Sequence, residues 1–491
     1  MNLELLFSLI TAIQPYFPYI LTGFAFTAAS ITSIHVLLSR RAPGSSIAWI
    51  ALVWLAPLLG VIAYIVFGVN RIRRRAEIIR PPHEIFQSPP VVDPIRPENL
   101  RPALRGDCLG LDALLPLANR VLSRPLLPGA KVKPLIDGDQ AYPAMLTAIQ
   151  EAKESVTLCT YIFDNDVLGQ RFVKALANAH DRGVEVRVLI DAAGLRYSFP
   201  SIFGSLKKAK IPVAKFLPSL FPPHIMTLNL RNHRKILVVD GRIGFTGGIN
   251  IRHYHLLEEQ PKYPTRDLHF QVTGPVVAHI QEVFVDDWTF TTGEELRGPK
   301  YFPPLEEQGH TLARGIPDGP DENLDKLKWI LLGAISTASK RVRIVTPYFI
   351  PDESMVSALT MAAMRGVDVE IVLPEKGNLP FVQWASTAHL GPLLQWGCQV
   401  FSSCPPFDHS KFVVIDDVWT LFGSANLDPR SLRLNFEFNI ECWDTKLAKK
   451  LNRLIDERIE TGSLLSYEEY ENRSPIIRIR DGIASLASPY L

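Results

Sequence analysis

Excess charge of either sign is what this chain most conspicuously lacks. Its 52 lysines and arginines stand against 50 aspartates and glutamates, a net charge of +2 in 491 residues. That balance excludes a strongly basic nucleic-acid binder on bulk grounds and leaves room only for local patches. Cysteine is scarce too: Cys108, Cys159, Cys398, Cys404 and Cys442 are odd in number and form no CxxC pair. A disulfide scaffold and a zinc ribbon are both excluded, and reduced core thiols are expected. The twelve histidines include no HExxH and no His/Cys cluster, so neither a metal nor any other cofactor is expected.

Formal charge is missing altogether from two stretches near the N-terminus, 5–39 and 44–70. Each exceeds the roughly 20 residues that cross a bilayer. The second, around Ile47 to Val69, reads as the cleaner span, whereas Pro15 and Pro18 break the first into an interfacial piece and a span near Tyr19 to Leu38. Glu4 stands where a basic signal-peptide region would be, so a cleaved leader is not expected. Arg71, Arg73, Arg74, Arg75 and Arg80 follow the second span, against Arg40 and Arg41 in the connecting loop. The bias places the C-terminal bulk on the cytoplasmic side of the membrane. Pro81, Pro82, Pro89, Pro90, Pro94, Pro97 and Pro102 then read as an extended spacer.

What is present is a duplicated chemical string. His233, Lys235 and Asp240 lead to Gly247, Gly248 and Asn250; His409, Lys411 and Asp416 lead to Gly423, Ser424 and Asn426. From each His the Lys falls at +2, the Asp at +7, the first Gly at +14 and the Asn at +17. The intervening Ile-Leu-Val-Val and Phe-Val-Val-Ile runs read as buried strands, on which residues two apart share a face. Each imidazole therefore has an ammonium beside it. That pair suits a phosphodiester: Lys neutralises nonbridging oxygens while His attacks phosphorus or protonates a departing oxygen. Glycines admit a close backbone approach, and the Asn side chain is a further donor. One copy supplies a nucleophile or an acid; two copies facing each other supply both.

The strings resemble the HxKxxxxD signature of the phospholipase D superfamily with its downstream G-[GS]-x-N. The wider wording, Arg231-Asn232-His233-Arg234-Lys235 and Asn435-Phe436-Glu437-Phe438-Asn439, is similar to the bacterial cardiolipin synthases, and the resemblance covers nearly the whole chain, membrane segments included. It implies that one His, taken as His233, becomes a covalent phosphohistidine while His409 shuttles protons. It also implies that an acidic residue from each half, Asp267 and Glu437, orients a catalytic imidazole. The expected reaction is transfer of a phosphatidyl group between two phosphatidylglycerols, giving cardiolipin and glycerol. Asp408 departs from the usual apolar residue before the second His, where it would raise the basicity of its neighbour, and Thr265 departs from the usual aromatic before Arg266.

The repeat extends beyond the motifs. Arg182-Gly183-Val184-Glu185-Val186 returns as Arg365-Gly366-Val367-Asp368-Val369 after 183 residues, and the two histidines stand 176 apart. Strand–helix alternation in each copy indicates two tandem α/β sandwiches with the site between them. The expected organisation is a two-span anchor over 1–70, a basic, Pro-rich linker over 71–128, halves over 129–300 and 308–465 joined by the Pro/Gly-rich stretch 293–325, and a tail over 466–491. Phe199, Phe203, Phe216, Phe221 and Met226, with Lys207, Lys208 and Lys210 among them, form either a surface through which lipid enters or a loop packing its own aromatics. The tail, with Arg478, Arg480, Ile483 and Leu486, reads as an interfacial helix. Three rival functions remain open: a hydrolase, or a transferase using another phospholipid or alcohol, with the same site; a nuclease, disfavoured by the spans and the charge; and a catalytically silent membrane scaffold, which would be expected to lack a His or Lys.

Overall fold

The computed structural model describes residues 14–39, 43–65, 92–104, 110–218, 230–321 and 323–488. The arginines at 40, 41 and 71–80, the first half of the proline-rich spacer (81–91), Cys108 and the segment 219–229 lie outside the described residues. The chain divides into two units, residues 1–79 and 80–491.

The first unit is a helical hairpin in which the two spans exchange the roles expected of them. Phe17–Leu38 is one unbroken helix, because Pro18 sits in its first turn, where a missing N–H costs nothing. With Gln14–Tyr16 it makes a 25-residue segment of mean hydropathy 1.6, the one helix among the described residues long and apolar enough to cross a membrane. The supposedly cleaner second leg is broken: Pro43–Leu55 ends at Ala56 and Pro57–Ala63 restarts, since Pro57 cannot continue a helix. Two polar clasps join the legs, His35 Nδ1 to the Tyr64 hydroxyl at 2.7 Å and Trp54 Nε1 donating to Ser33 Oγ at 3.0 Å.

The second unit is built on one continuous sheet made of two copies of the same strand order. In the first half the order is 127–136, 268–273, 243–247, 236–239, 155–160, 185–191 and 213–216; in the second it is 311–318, 435–443, 419–423, 412–415, 341–345, 368–374 and 399–403. The leading strands meet antiparallel, with Leu127 opposite Ala313 and Ala130 opposite Thr311, and so weld the halves edge to edge. Alternate residues feed opposite faces. Ile236 and Val238, with Phe412 and Val414, enter a core shared by both halves under helices Val277–Thr292 and Thr445–Thr461. Leu237 and Val239 face a core covered by Asp137–Glu151 and Val167–Asp181, and Val413 and Ile415 face one covered by Lys326–Thr337 and Glu353–Met364. Phe270 and Phe422 stack at 3.6 Å between the halves.

The repeated Arg-Gly-Val text has a structural reason. Arg182 donates to the carbonyls of Ile149 and Ala152, and Arg365 to those of Ile335 and Ala338, closing the ends of the preceding helices. Gly183 and Gly366 turn the chain there at φ near +89° and +87°, a region open to glycine.

Three expectations require correction. The stretch 293–325 is not merely a connector, because Thr311–Asp318 is a fully buried central strand whose Arg314 pairs with Glu441 at 2.5 Å. The linker 71–128 is not all spacer: Leu100, Leu111, Leu114, Leu115 and Ala118 are wholly buried in the core of the second half. Phe216 lies in no lipid-access loop; it is buried between Phe290 and Phe436 at the end of the strand Val213–Phe216. Phe203 is partly buried beneath Lys207 and Lys215, and Phe199 alone of that group's described aromatics is fully exposed.

Candidate active site

Each histidine is carried by a short segment stitched onto the other half. Arg231–Asn232 pairs in parallel with Asn435–Phe436, and the His233 amide donates to Phe436 O at 2.9 Å. Phe407–Asp408 pairs in parallel with Thr265–Arg266, and the His409 amide donates to Arg266 O at 2.8 Å. One residue beyond each partner segment stands a carboxylate. His233 Nδ1 lies 3.0 Å from Glu437 Oε1, and His409 Nδ1 lies 2.8 Å from Asp267 Oδ2. The orienting pairs are thus crossed: the second half's Glu437 holds the first half's histidine, and the first half's Asp267 holds the second's. Accepting Nδ1–H leaves each Nε2 with its lone pair free for chemistry.

The carboxylates are themselves fixed. Ser424 Oγ donates to Glu437 Oε2 at 2.5 Å and Asn435 Nδ2 to Oε1 at 3.1 Å. In the first half the shorter Asp267 takes the Leu268 amide at 2.8 Å and sits directly over Gly248, where any Cβ would fall 2.1 Å from its Oδ1. The Gly-Gly versus Gly-Ser difference between the copies thus follows from Asp versus Glu. Gly247 and Gly423 let the turn lie against the backbone at Leu268 and Phe438. Asn250 Oδ1 accepts from the Ile162 amide at 3.1 Å, and Asn426 bonds Asp428.

Both lysines are buried and curl back on their own motif, Lys235 Nζ donating to His233 O at 2.6 Å and Lys411 Nζ to His409 O at 2.5 Å. Burial pulls Lys235 down to about 7 and Lys411 to about 8. Burial also lowers His233, with Glu437 opposing, and drives His409 well below its ordinary range, aided by Lys411 and Lys235. For Asp267 burial wins and its carboxyl rises to about 6; for Glu437 burial is outweighed by His233, Lys235 and Ser424, so it stays below the usual carboxylate range. The mutual influence of groups from both motifs marks one site, not two.

Asp240 and Asp416 are not brought to it. Asp240 accepts from the amides of Lys153, Glu154 and Ser155, and Asp416 from Ser339, Lys340 and Arg341, at the far ends of their strands. Each ties a helix exit to a strand entrance, and their placement among the catalytic groups is corrected to a scaffold role. Asp416→Ala is expected to destabilise the protein by about 1–3 kcal/mol through lost hydrogen bonds from part-buried amides to a buried carboxylate. Thermal unfolding should report that loss while kcat of the folded fraction stays within about threefold; a dead but fully stable variant would restore Asp416 to the chemistry. Asp408 acts on His409 in the expected direction, favouring its protonated form, but burial and Lys411 outweigh it, and its carboxylate is shared with Arg458 Nε at 2.6 Å and the Ser410 amide at 2.9 Å.

Two aromatic residues went unread in the sequence. Tyr161 lies edge-on to His233 with ring centroids 5.1 Å apart, and Tyr348 stands likewise to His409 at 6.2 Å. They follow the strands Ser155–Thr160 and Arg341–Val345 at places one residue out of step, Ile162 being the counterpart of Tyr348, so the repeat does not align them.

Two welded α/β sandwiches that share one crossed pair of His–Lys motifs define a two-repeat phospholipase D-like protein. The family model described as "Cardiolipin synthase, PLD-like domain" matches residues 145–288 and 331–459, and "Phospholipase_D-nuclease N-terminal" matches 28–68. The chain is 32% identical to the cardiolipin synthase of Geobacillus kaustophilus over 94% of this chain and 91% of that one. It is also 32% identical to the major cardiolipin synthase ClsA of Bacillus subtilis, over 93% and 96%. The chain belongs to the bacterial cardiolipin synthase family of the phospholipase D superfamily. In fold it is similar to the phosphatidylserine synthase of Haemophilus influenzae Rd KW20, with a TM-score of 0.61 at 14% identity over 77% of this chain and all of that one.

Proposed function

We propose that the protein is a cardiolipin synthase that exchanges phosphatidylglycerol's glycerol for a second phosphatidylglycerol, working without metal or cofactor. The observation that carries this reading is the crossed pairing of His233 with Glu437 and His409 with Asp267. His233 Nε2 attacks phosphorus, and the P–O bond to glycerol breaks as His409, carrying a proton, protonates the leaving oxygen. Neutral His409 then takes the proton from the hydroxyl of the incoming lipid, whose oxygen displaces His233. Lys235 and Lys411 neutralise the nonbridging oxygens throughout. The number of phosphoester bonds is conserved, so no energy source is required. One feature favours the opposite assignment: burial and both lysines disfavour a proton on either imidazole, and at His233 Glu437 opposes them.

The hairpin places the enzyme at the membrane that holds its lipid substrates. A second crossing by the broken leg and a cytoplasmic catalytic body complete the proposed topology. Purified protein given phosphatidylglycerol alone is expected to yield cardiolipin and glycerol in equal amounts. Phosphatidic acid without cardiolipin would make it a hydrolase. The pH dependence follows from the lysines, whose charged form is lost as pH rises through about 7 and about 8. The ratio kcat/KM should therefore fall across that window, while the alkaline limb of kcat lies higher because bound phosphate favours the protonated amines. A kcat/KM profile flat to about pH 9 would remove the lysines from substrate binding.

A further inference from the structure

The C-terminal helix Pro475–Ser485 wears its amphipathicity inside out. Its inner face carries Asp481 and Ala484, both buried. Asp481 is paired with Arg473 and Arg480, and Ala484 packs with Ala385 and Ile350. Its outer face carries Ile476, Ile479 and Ile483, continued by Leu486, at 80, 62, 60 and 79% exposure. These positions follow a helical stripe. The helix is held on Pro380–Ala388, where Arg480 lies over the Trp384 ring at 4.6 Å and His389 meets Ser488 at 3.2 Å. At the start of that neighbouring helix Leu379 and Phe381 are also exposed, by 50 and 42%.

A surface of this kind has three candidate occupants: another protein, a second copy of the chain, or a bilayer. Two observations select the last. The helix's own acid, Asp481, is buried and neutralised, while Arg478, which is half exposed and pairs at 3.4 Å with the half-exposed Glu471, and Arg480, which is part-exposed beside Asp481, leave basic groups bordering the stripe. The patch is also linked to the active site. Asn378, one residue before Leu379, accepts from the Tyr348 hydroxyl at 2.7 Å, and Tyr348 stands edge-on to His409.

We propose that the stripe Ile476, Ile479, Ile483 and Leu486, together with Leu379 and Phe381, is a bilayer-docking face of the catalytic unit that seats the His409 side of the site against anionic phospholipid. The choice of bilayer rests on the lipid-transfer function proposed above. The face would let a two-tailed lipid present its phosphate without leaving the membrane, because Leu379 adjoins Asn378, whose hydrogen bond holds the Tyr348 ring that stands edge-on to His409.

The test uses the full chain in vesicles of phosphatidylglycerol and phosphatidylethanolamine whose acyl chains carry bromine, with Cys108 and Cys404 replaced by serine. A polarity-sensitive fluorophore is placed at Ile479→Cys or Ile483→Cys, with Met364→Cys, on another exposed helix position, as the reference. Quenching by bromolipid at 479 and 483 but not at 364 is expected. Quenching there by aqueous iodide alone, or disulfide cross-linking between copies at Ile479→Cys, would overturn the proposal, the second outcome in favour of a dimer. Ile479→Glu with Ile483→Glu should lower turnover on vesicles about tenfold while turnover on detergent-dispersed phosphatidylglycerol stays within about twofold. Equal loss on both would overturn it as well. Bromolipid quenching by a protein that makes no cardiolipin would leave the docking face standing and remove the proposed function, so the two failures are distinguishable.

Discussion

His233→Ala and His409→Ala are expected to inactivate the enzyme to different depths. Loss of the attacking imidazole removes the covalent route and should cost about 10⁵–10⁶ in kcat. Loss of the acid should cost about 10²–10⁴, because attack on phosphorus remains possible while the alkoxide leaves unassisted. The difference becomes visible with a phosphatidyl ester of p-nitrophenol, a leaving group that needs no proton. On that substrate the His409 variant should release a stoichiometric burst of nitrophenol and keep label on the peptide bearing His233, whereas the His233 variant should do neither. Label on the peptide bearing His409 instead would reverse the assignment, in line with that residue's weaker hold on a proton. Label retained by the double variant would sink the covalent scheme for both residues.

Glu437→Gln is the second large effect. The amide keeps the size of the side chain and can still accept from His233 Nδ1. It removes the negative charge that supports an imidazolium, and it upsets a carboxylate that now receives Ser424 and Asn435. A loss of about 10³–10⁴ in kcat is expected, with KM changed by less than about threefold, as when an orienting carboxylate becomes an amide in a triad. Asp267→Asn should be the milder partner, because burial already pushes that carboxyl up to about 6. A fall in KM affinity with kcat preserved would mean that Glu437 binds substrate and does not orient His233.

Much of this architecture could be read from the residues, and the misreadings have physical causes. Two copies of a rare string with fixed spacing located both histidines, both lysines and, through resemblance, both carboxylates. The crossing of the pairs depends on which segments the sheet lays side by side, and no local pattern records that. Asp240 and Asp416 were misplaced by proximity in sequence. Five strand residues span about 16 Å, enough to carry a side chain from the site to the opposite edge of the sheet. The buried strand Thr311–Asp318 was hidden because it contains Gly315 and Pro317 within a stretch that reads as a connector. In the hairpin the position of each proline within its helix turn, and not the number of prolines, decides which leg remains whole.

The crossed pairs also bear on the enzyme's birth. His233 and the carboxylate that orients it are 204 residues apart in the chain, and the segment bearing Glu437 must be laid beside Arg231–Asn232 before either ring is aimed. A nascent chain that has exposed only its first half beside a membrane full of substrate carries a histidine with no orienting carboxylate and no second imidazole. It has a lysine to attract phosphate and a nucleophile that is neither aimed by a carboxylate nor backed by an acid. The orienting geometry of the site therefore exists only once both halves are made and joined.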